Sequence, residues 1–139
     1  MQHNFQSYVA EIEKTHSVIE PHIQNTPLLN SKELDTKLGM QVFCKAENLQ
    51  VTGSFKIRGA LSAISRLTDE QLKKGVLAYS SGNHAQGVAH AAKVFNTPAT
   101  VVMPKDAPER KIANARALGA QVIFYDRRTE SREEMSREI

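Results

Sequence analysis

Thr52-Gly53-Ser54-Phe55-Lys56-Ile57-Arg58-Gly59-Ala60 follows a short apolar run, Val42-Phe43-Cys44, and leads into a segment where Ile57, Ala60, Leu61, Ile64 and Leu67 recur at helical spacing. The stretch therefore joins a strand to an amphipathic helix and puts Lys56 and Arg58 into that helix's first turn. Cations there face the positive end of the helix dipole, at a cost of about 0.3–1 kcal/mol each unless something compensates. A lysine held in a positive field and partly buried is the kind whose amine attacks a carbonyl. A loop lysine in solvent is the plainer alternative. Gly53 permits close backbone approach, and Phe55 offers an apolar face for a flat ring.

Working outward toward the C-terminus, residues 76–79, 99–103 and 121–125 read as strands, separated by helices over 84–95 and 108–118. Pro108 sits near the start of the second helix and Gly119 just past its end. Strands fed through helical crossovers imply an α/β fold: an open parallel sheet with helices on both faces. Toward the N-terminus, residues 5–20 read as a helix with Phe5, Tyr8, Val9, Ile12 and Ile19 on one side. Residues 25–29 are extended, Ser31 caps a short helix ended by Gly39, and residues 41–46 form a strand. Thr68 and Gln71 form a capping-box pattern for another short helix that Gly75 closes, and Ser131 opens a last one carrying Met135 and Ile139.

Composition narrows the function classes. Of 139 residues 40% are apolar and 24% charged, ordinary for a folded globular protein. The formal charge of +3 is scattered, with no Lys/Arg block or basic aromatic patch, which argues against nucleic acid. Cys44 is the single cysteine, so neither an internal disulfide nor a cysteine-based metal site forms; inside its apolar run it reads as a small core residue. His84 and His90 are too far apart along a helix to share a metal, and none is expected. No apolar leader or membrane-length run is present, so the cytoplasm is the default expectation and no membrane partner is expected.

Two motifs carry a resemblance. Thr52–Ala60 with the preceding Lys45-Ala46-Glu47-Asn48-Leu49-Gln50, and Ser80-Ser81-Gly82-Asn83-His84-Ala85-Gln86-Gly87, resemble the signature of the fold-type II pyridoxal-phosphate enzymes. The likeness is to the group of serine/threonine dehydratases (threonine ammonia-lyases), serine racemases and hydroxyaspartate dehydratases. It covers essentially the whole chain but only the family's N-terminal half, and it implies an incomplete tryptophan synthase beta-like fold. Residues 1–70 are then expected to belong to the large cofactor domain, and 71–139 to a small α/β domain cut short at its C-terminal end. On that division the stripe Ile57, Leu61, Ile64 and Leu67 is expected to face an absent partner and lie exposed. The family's glycine-rich phosphate loop has no counterpart here, so activity of this chain alone is not expected. The complete enzyme is expected to be a homodimer.

The resemblance also assigns residues. Lys56 carries pyridoxal 5'-phosphate covalently and takes the alpha proton of a hydroxy amino acid, with Phe55 and Asn83 beside the cofactor ring. Ser80, Ser81, Gly82, Asn83 and His84 receive the substrate carboxylate, as a strand-to-helix turn in a parallel sheet favours. Loss of the beta hydroxyl from threonine, serine or 3-hydroxyaspartate gives a 2-keto acid and ammonia. Ser81 matches the racemase-type serine that relays a proton on the face opposite the lysine, giving a racemised product as the alternative; a helix N-cap is its plainer reading. Thr129-Glu130-Ser131-Arg132-Glu133 resembles the same subgroup, where the arginine meets a substrate carboxylate; a solvated helix face is the plainer reading of Arg132. Two other classes remain as alternatives: a truncated, non-catalytic binding module, and a nucleotide-binding Rossmann unit, against which the missing G-x-G-x-x-G argues. Val88-Ala89 stands where a P-loop needs Lys-Ser/Thr.

Overall fold

The turn chemistry of residues 68–125 folds as written. In the computed structural model, which describes residues 5–139, the elements in chain order are α1 (Phe5–Ile19), β1 (Leu28–Asn30), α2 (Lys32–Leu38), β2 (Phe43–Lys45), α3 (Lys56–Ile64), α4 (Asp69–Lys74), β3 (Val76–Tyr79), α5 (Asn83–Val94), β4 (Ala99–Pro104), α6 (Glu109–Ala117), β5 (Gln121–Tyr125) and α7 (Arg132–Glu138). Short 3-10 turns occupy Glu20–His22 and Glu47–Leu49. Thr68 and Gln71 make both bonds of the capping box, and Ser31 and Ser131 accept amide bonds at the starts of α2 and α7. Gly39 ends α2 in the left-handed region at φ 66°.

Strands β3, β4 and β5 form a parallel sheet in that order, with Ala78 beside Val101 and Val101 beside Val122. Alternation along the strands sends Ala78, Ala99, Val101 and Met103 to one face, where they join the apolar cluster with α5 and with Ile112 and Ala115 of α6. Leu77, Tyr79 and Val102 point to the other face, where α7 lies beside β3. Helices thus cover both faces, and the central strand β4 is buried along nearly its whole length.

Helix α5 is the hinge of the packing. Its buried residues are Ala85, Gly87, Val88, Ala89, Ala91 and Ala92, small side chains on more than one side of the helix. The helix is covered on two sides: the sheet lies on one and α3 on the other, with α1 beyond α3. This corrects the expectation of an exposed stripe on α3. Ile57 and Leu61 are 0% exposed, Ile64 is buried and Leu67 is half-buried. Their partner is α5 of this same chain, whose alanines leave room for branched side chains to enter.

The N-terminal elements are covered less. Helix α1 forms over nearly the expected residues, but Phe5 is 79% and Ile12 67% exposed; Ile19 is its buried residue. The expected strand at 41–46 shortens to β2, which pairs antiparallel with β1 so that Leu29 faces Cys44. All six residues of this ribbon are exposed. Cys44 is therefore a surface thiol rather than a core residue, because no described element packs over the ribbon. No helix among the described residues is long and apolar enough to cross a membrane.

Candidate active site

The site lies where two helices begin. Lys56 is the first residue of α3, and the Ser80–His84 turn links the carboxyl end of β3 to α5, which starts at Asn83. Helix α5 brings the two starts together. A Cβ placed on Gly87 would stand 3.2 Å from the Lys56 carbonyl carbon and 3.3 Å from the Ile57 nitrogen. The missing side chain at 87 is what lets α5 lie against the backbone that carries Lys56. The closeness is also electrostatic: partial desolvation, and then the Lys56 charge, hold the His84 imidazole below its usual range.

Lys56 is exposed, not partly buried as its sequence setting suggests. Its Nζ lies 4.9 Å from the centre of the Phe55 ring, and among the described residues no carboxylate pairs with it. Arg58, two residues on, is held instead. Its Nε and Nη2 each donate to Glu47 at 2.8 Å, and the Thr26 hydroxyl donates to the same carboxylate at 2.5 Å. The Arg58 bonds, aided by Thr26 and opposed by desolvation, pull the Glu47 pKa down to about 2. The dipole penalty of two first-turn cations is thereby met for Arg58 and left standing for Lys56.

In the Ser80–His84 turn the cap position of α5 is Gly82, and no side chain caps the helix. The hydroxyl that takes a loop amide belongs to Ser80, which accepts from the Gly82 N–H at 3.2 Å. Ser81 is exposed and does not cap, so its plainer reading as an N-cap is not what the structure contains. Asn83 and His84 are exposed in the first turn of α5. The Lys111 ammonium of α6 reaches the same turn, 3.3 Å from where a Cβ on Gly82 would be. Arg132 opens α7 with its guanidinium 5.0 Å from the Tyr79 ring centre and its Nε donating to Glu133 at 2.8 Å. Tyr79 immediately precedes Ser80, so α7 brings Arg132 to the edge of the turn.

Sequence reading missed three of these features. Lys111 has no local signal, because only the fold lays α6 over the turn. Gly87 was legible as a motif glycine but not as the contact with Lys56. Glu47 was quoted within its motif without a role, although two cations in one helix start ask for a carboxylate nearby.

The family description "Pyridoxal-phosphate dependent enzyme" matches residues 19–139. The chain belongs to that family. An L-threo-3-hydroxyaspartate ammonia-lyase from Pseudomonas is 54% identical over 121 residues, 87% of this chain and 38% of that protein. An L-threonine ammonia-lyase from Thermotoga maritima is 50% identical over 114 residues, 82% of this chain and 28% of that protein. The solved structure of maize serine racemase superposes with a TM-score of 0.87 at 42% identity, covering 94% of this chain and 40% of that one. The chain thus spans well under half the length of these relatives. Pyridoxal phosphate is the family's cofactor. The residues here fit one side of it. Lys56 offers an amine with no carboxylate partner beside an aromatic ring, and the buried hydroxyls Thr52 Oγ1 and Ser54 Oγ, two to four residues before it, have no hydrogen-bond partner among the described residues. Unmet buried hydroxyls are costly, so they mark a segment shaped for a further group.

Proposed function

We propose that this chain carries the lysine side of the active site of a pyridoxal-phosphate-dependent ammonia-lyase. The full-length enzyme removes water from a beta-hydroxy amino acid such as 3-hydroxyaspartate, serine or threonine and yields a 2-keto acid and ammonia. One observation carries this reading: the Lys56 amine, beside the Phe55 ring and with no carboxylate partner among the described residues, rises from backbone that α5 contacts at Gly87, near enough for its charge to act on His84 in the Ser80–His84 turn. The relatives' names agree with it, since two are ammonia-lyases of hydroxy amino acids.

Bound cofactor supplies an electron sink for charge developing at the substrate's alpha carbon. The protein's own work is placement and proton movement. Lys56 would hold the cofactor, and its amine would accept the substrate's alpha proton. Asn83 would hydrogen-bond at the cofactor's ring edge, and Phe55 would offer the ring an apolar face. The amides at the start of α5, with Ser80, Ser81, Gly82 and His84, receive the substrate carboxylate, whose charge the helix dipole favours. Depressed as it is, His84 stays neutral at pH 7 and positions the turn as a donor rather than as a cation. Arg132, beside Tyr79 and bonded to Glu133, would supply a second positive group for a carboxylate.

In the full-length enzyme, Lys56→Ala is expected to abolish keto-acid formation from each of these substrates. Turnover retained at native levels would overturn the reading and leave a non-catalytic binding role for this segment.

A second activity, racemisation, is favoured by the exposed, non-capping hydroxyl of Ser81. Ser81→Ala should depress D-isomer formation far more than ammonia release from the L-substrate; equal losses would remove Ser81 from the proton path. We further propose a homodimer in the cytoplasm, with residues 1–70 in a large cofactor domain and 71–139 in a small one.

A further inference from the structure

We propose that Glu47 and Arg58 form a positioning pair that fixes the first turn of α3, and so the direction of the Lys56 amine; this rests on the reading of Lys56 as the cofactor-bearing residue. Three segments distant in sequence meet at the Glu47 carboxylate. Arg58 reaches it from α3 through two nitrogens at 2.8 Å, a two-pronged contact that sets orientation as well as distance. Thr26 reaches it from the N-terminal segment, and Lys45 ties that segment back by donating to the Thr26 carbonyl at 2.5 Å. Gln50 completes the frame, accepting from the Gln24 amide at 2.7 Å and donating to the Gln24 carbonyl at 2.9 Å. The pair is largely enclosed, the Glu47 side chain being 15% and the Arg58 side chain 27% exposed.

Lys56 has no such tether. Its side chain is exposed, and its backbone is held from one side by α5 at Gly87. Contact at Gly87 limits how far the turn moves toward α5, but it does not stop the turn rotating about the helix axis. Arg58 supplies that restraint. Two residues span about 200° of an α-helix, so a fixed Arg58 turns the Lys56 side chain to roughly the opposite side of α3. Glu47 remains ionised across any working range and is no candidate to move protons. Its place in the reaction is geometric.

The test uses the full-length protein and the variants Glu47→Gln, Arg58→Met and both together, each assayed well below its melting temperature. Glu47→Gln keeps size and an acceptor oxygen, so it reports even if Arg58→Met folds poorly. Three readouts are taken: kcat and KM, the visible circular dichroism of bound cofactor (which follows its orientation), and the rate of cofactor capture by the apoenzyme. Misplacement of a reacting group by about 1 Å costs on the order of 100-fold. The expected result is a kcat loss of about 10- to 100-fold with KM within about threefold, an altered visible dichroism, and slowed capture. The double variant should be no worse than the poorer single one, because the two residues act as a unit. Arg58→Lys, which keeps charge but not the two-pronged geometry, should restore only part. Unchanged dichroism and kcat in Glu47→Gln, or losses that multiply in the double variant, would overturn the pair. Failure of the underlying reading looks different: wild-type cofactor would then be attached at a lysine other than Lys56.

Discussion

The two ends of the chain use apolar residues differently. In β4, Val101, Val102 and Met103 are all 0% exposed, whereas Leu28, Leu29 and Phe43 of the β1–β2 ribbon are 61%, 53% and 56% exposed. Residues 99–103 and 41–46 read as strands and 25–29 as extended, and β4, β2 and β1 form there. What separates them is cover: β4 has a neighbour strand on each side and helices on both faces, while the ribbon has only itself. Two strands alone give little independent stability. The part of the molecule that holds the Ser80–His84 turn thus has its apolar residues covered, with α3 sharing its core. The part that leads up to Lys56 is tied to it by α3 and by the Glu47–Arg58 contact.

The contrast is broken or sharpened by substitution. The largest effect is expected on the α3–α5 interface, where Leu61→Ala should destabilise this chain by roughly 2–5 kcal/mol in denaturant unfolding. Phe43→Ala on the ribbon should stay within about 0.5 kcal/mol, as exposed positions do. Equal costs at the two sites would mean that the ribbon is covered after all.

Next comes the tie between the regions. Arg58→Met should cost about 1.5–3 kcal/mol, the range for a hydrogen bond to a charged group. The pair also predicts a pH window. The folded Glu47 pKa of about 2 lies below its ordinary value of 4.5, so its stabilisation is complete above about pH 5 and is lost as pH falls toward 2. Glu47→Gln should flatten that part of the stability curve, which pH-dependent melting will read.

A somewhat smaller effect is expected at Gly87. Gly87→Val pushes side-chain atoms into the Lys56 backbone and should cost roughly 1–3 kcal/mol, measured as a lowered unfolding midpoint. The smallest is electrostatic. In the apoprotein, Lys56→Met removes a charge that depresses His84, so the His84 pKa should move upward in an NMR titration. Desolvation, the larger cause, remains and keeps it below the ordinary value.

Much of this was legible in the chain, and the reasons are local. Caps at Ser31, Thr68 and Ser131, the strand–helix alternation after Val76, and the two motifs around Lys56 and Asn83 are short-range signals that survive without tertiary knowledge. What was misread depends on partners. The stripe of α3 gave its periodicity but not its partner, and α5 could not be named as that partner from spacing alone. Cys44 lay in an apolar run, and nothing local tells an apolar run with cover from one without. A cap was the plainer alternative for Ser81, because serine caps well, yet the backbone places Gly82 at that position.

The central claim is that Lys56 is the residue that takes the cofactor. Its most direct test is borohydride reduction of the full-length protein with bound pyridoxal phosphate, followed by tryptic mass mapping. Modification at Lys56 blocks cleavage there, so the account predicts a labelled peptide covering residues 46–58 in place of one ending at residue 56. A stoichiometric label on Lys45, Lys111 or any other lysine, with an unmodified peptide ending at Lys56, would contradict it.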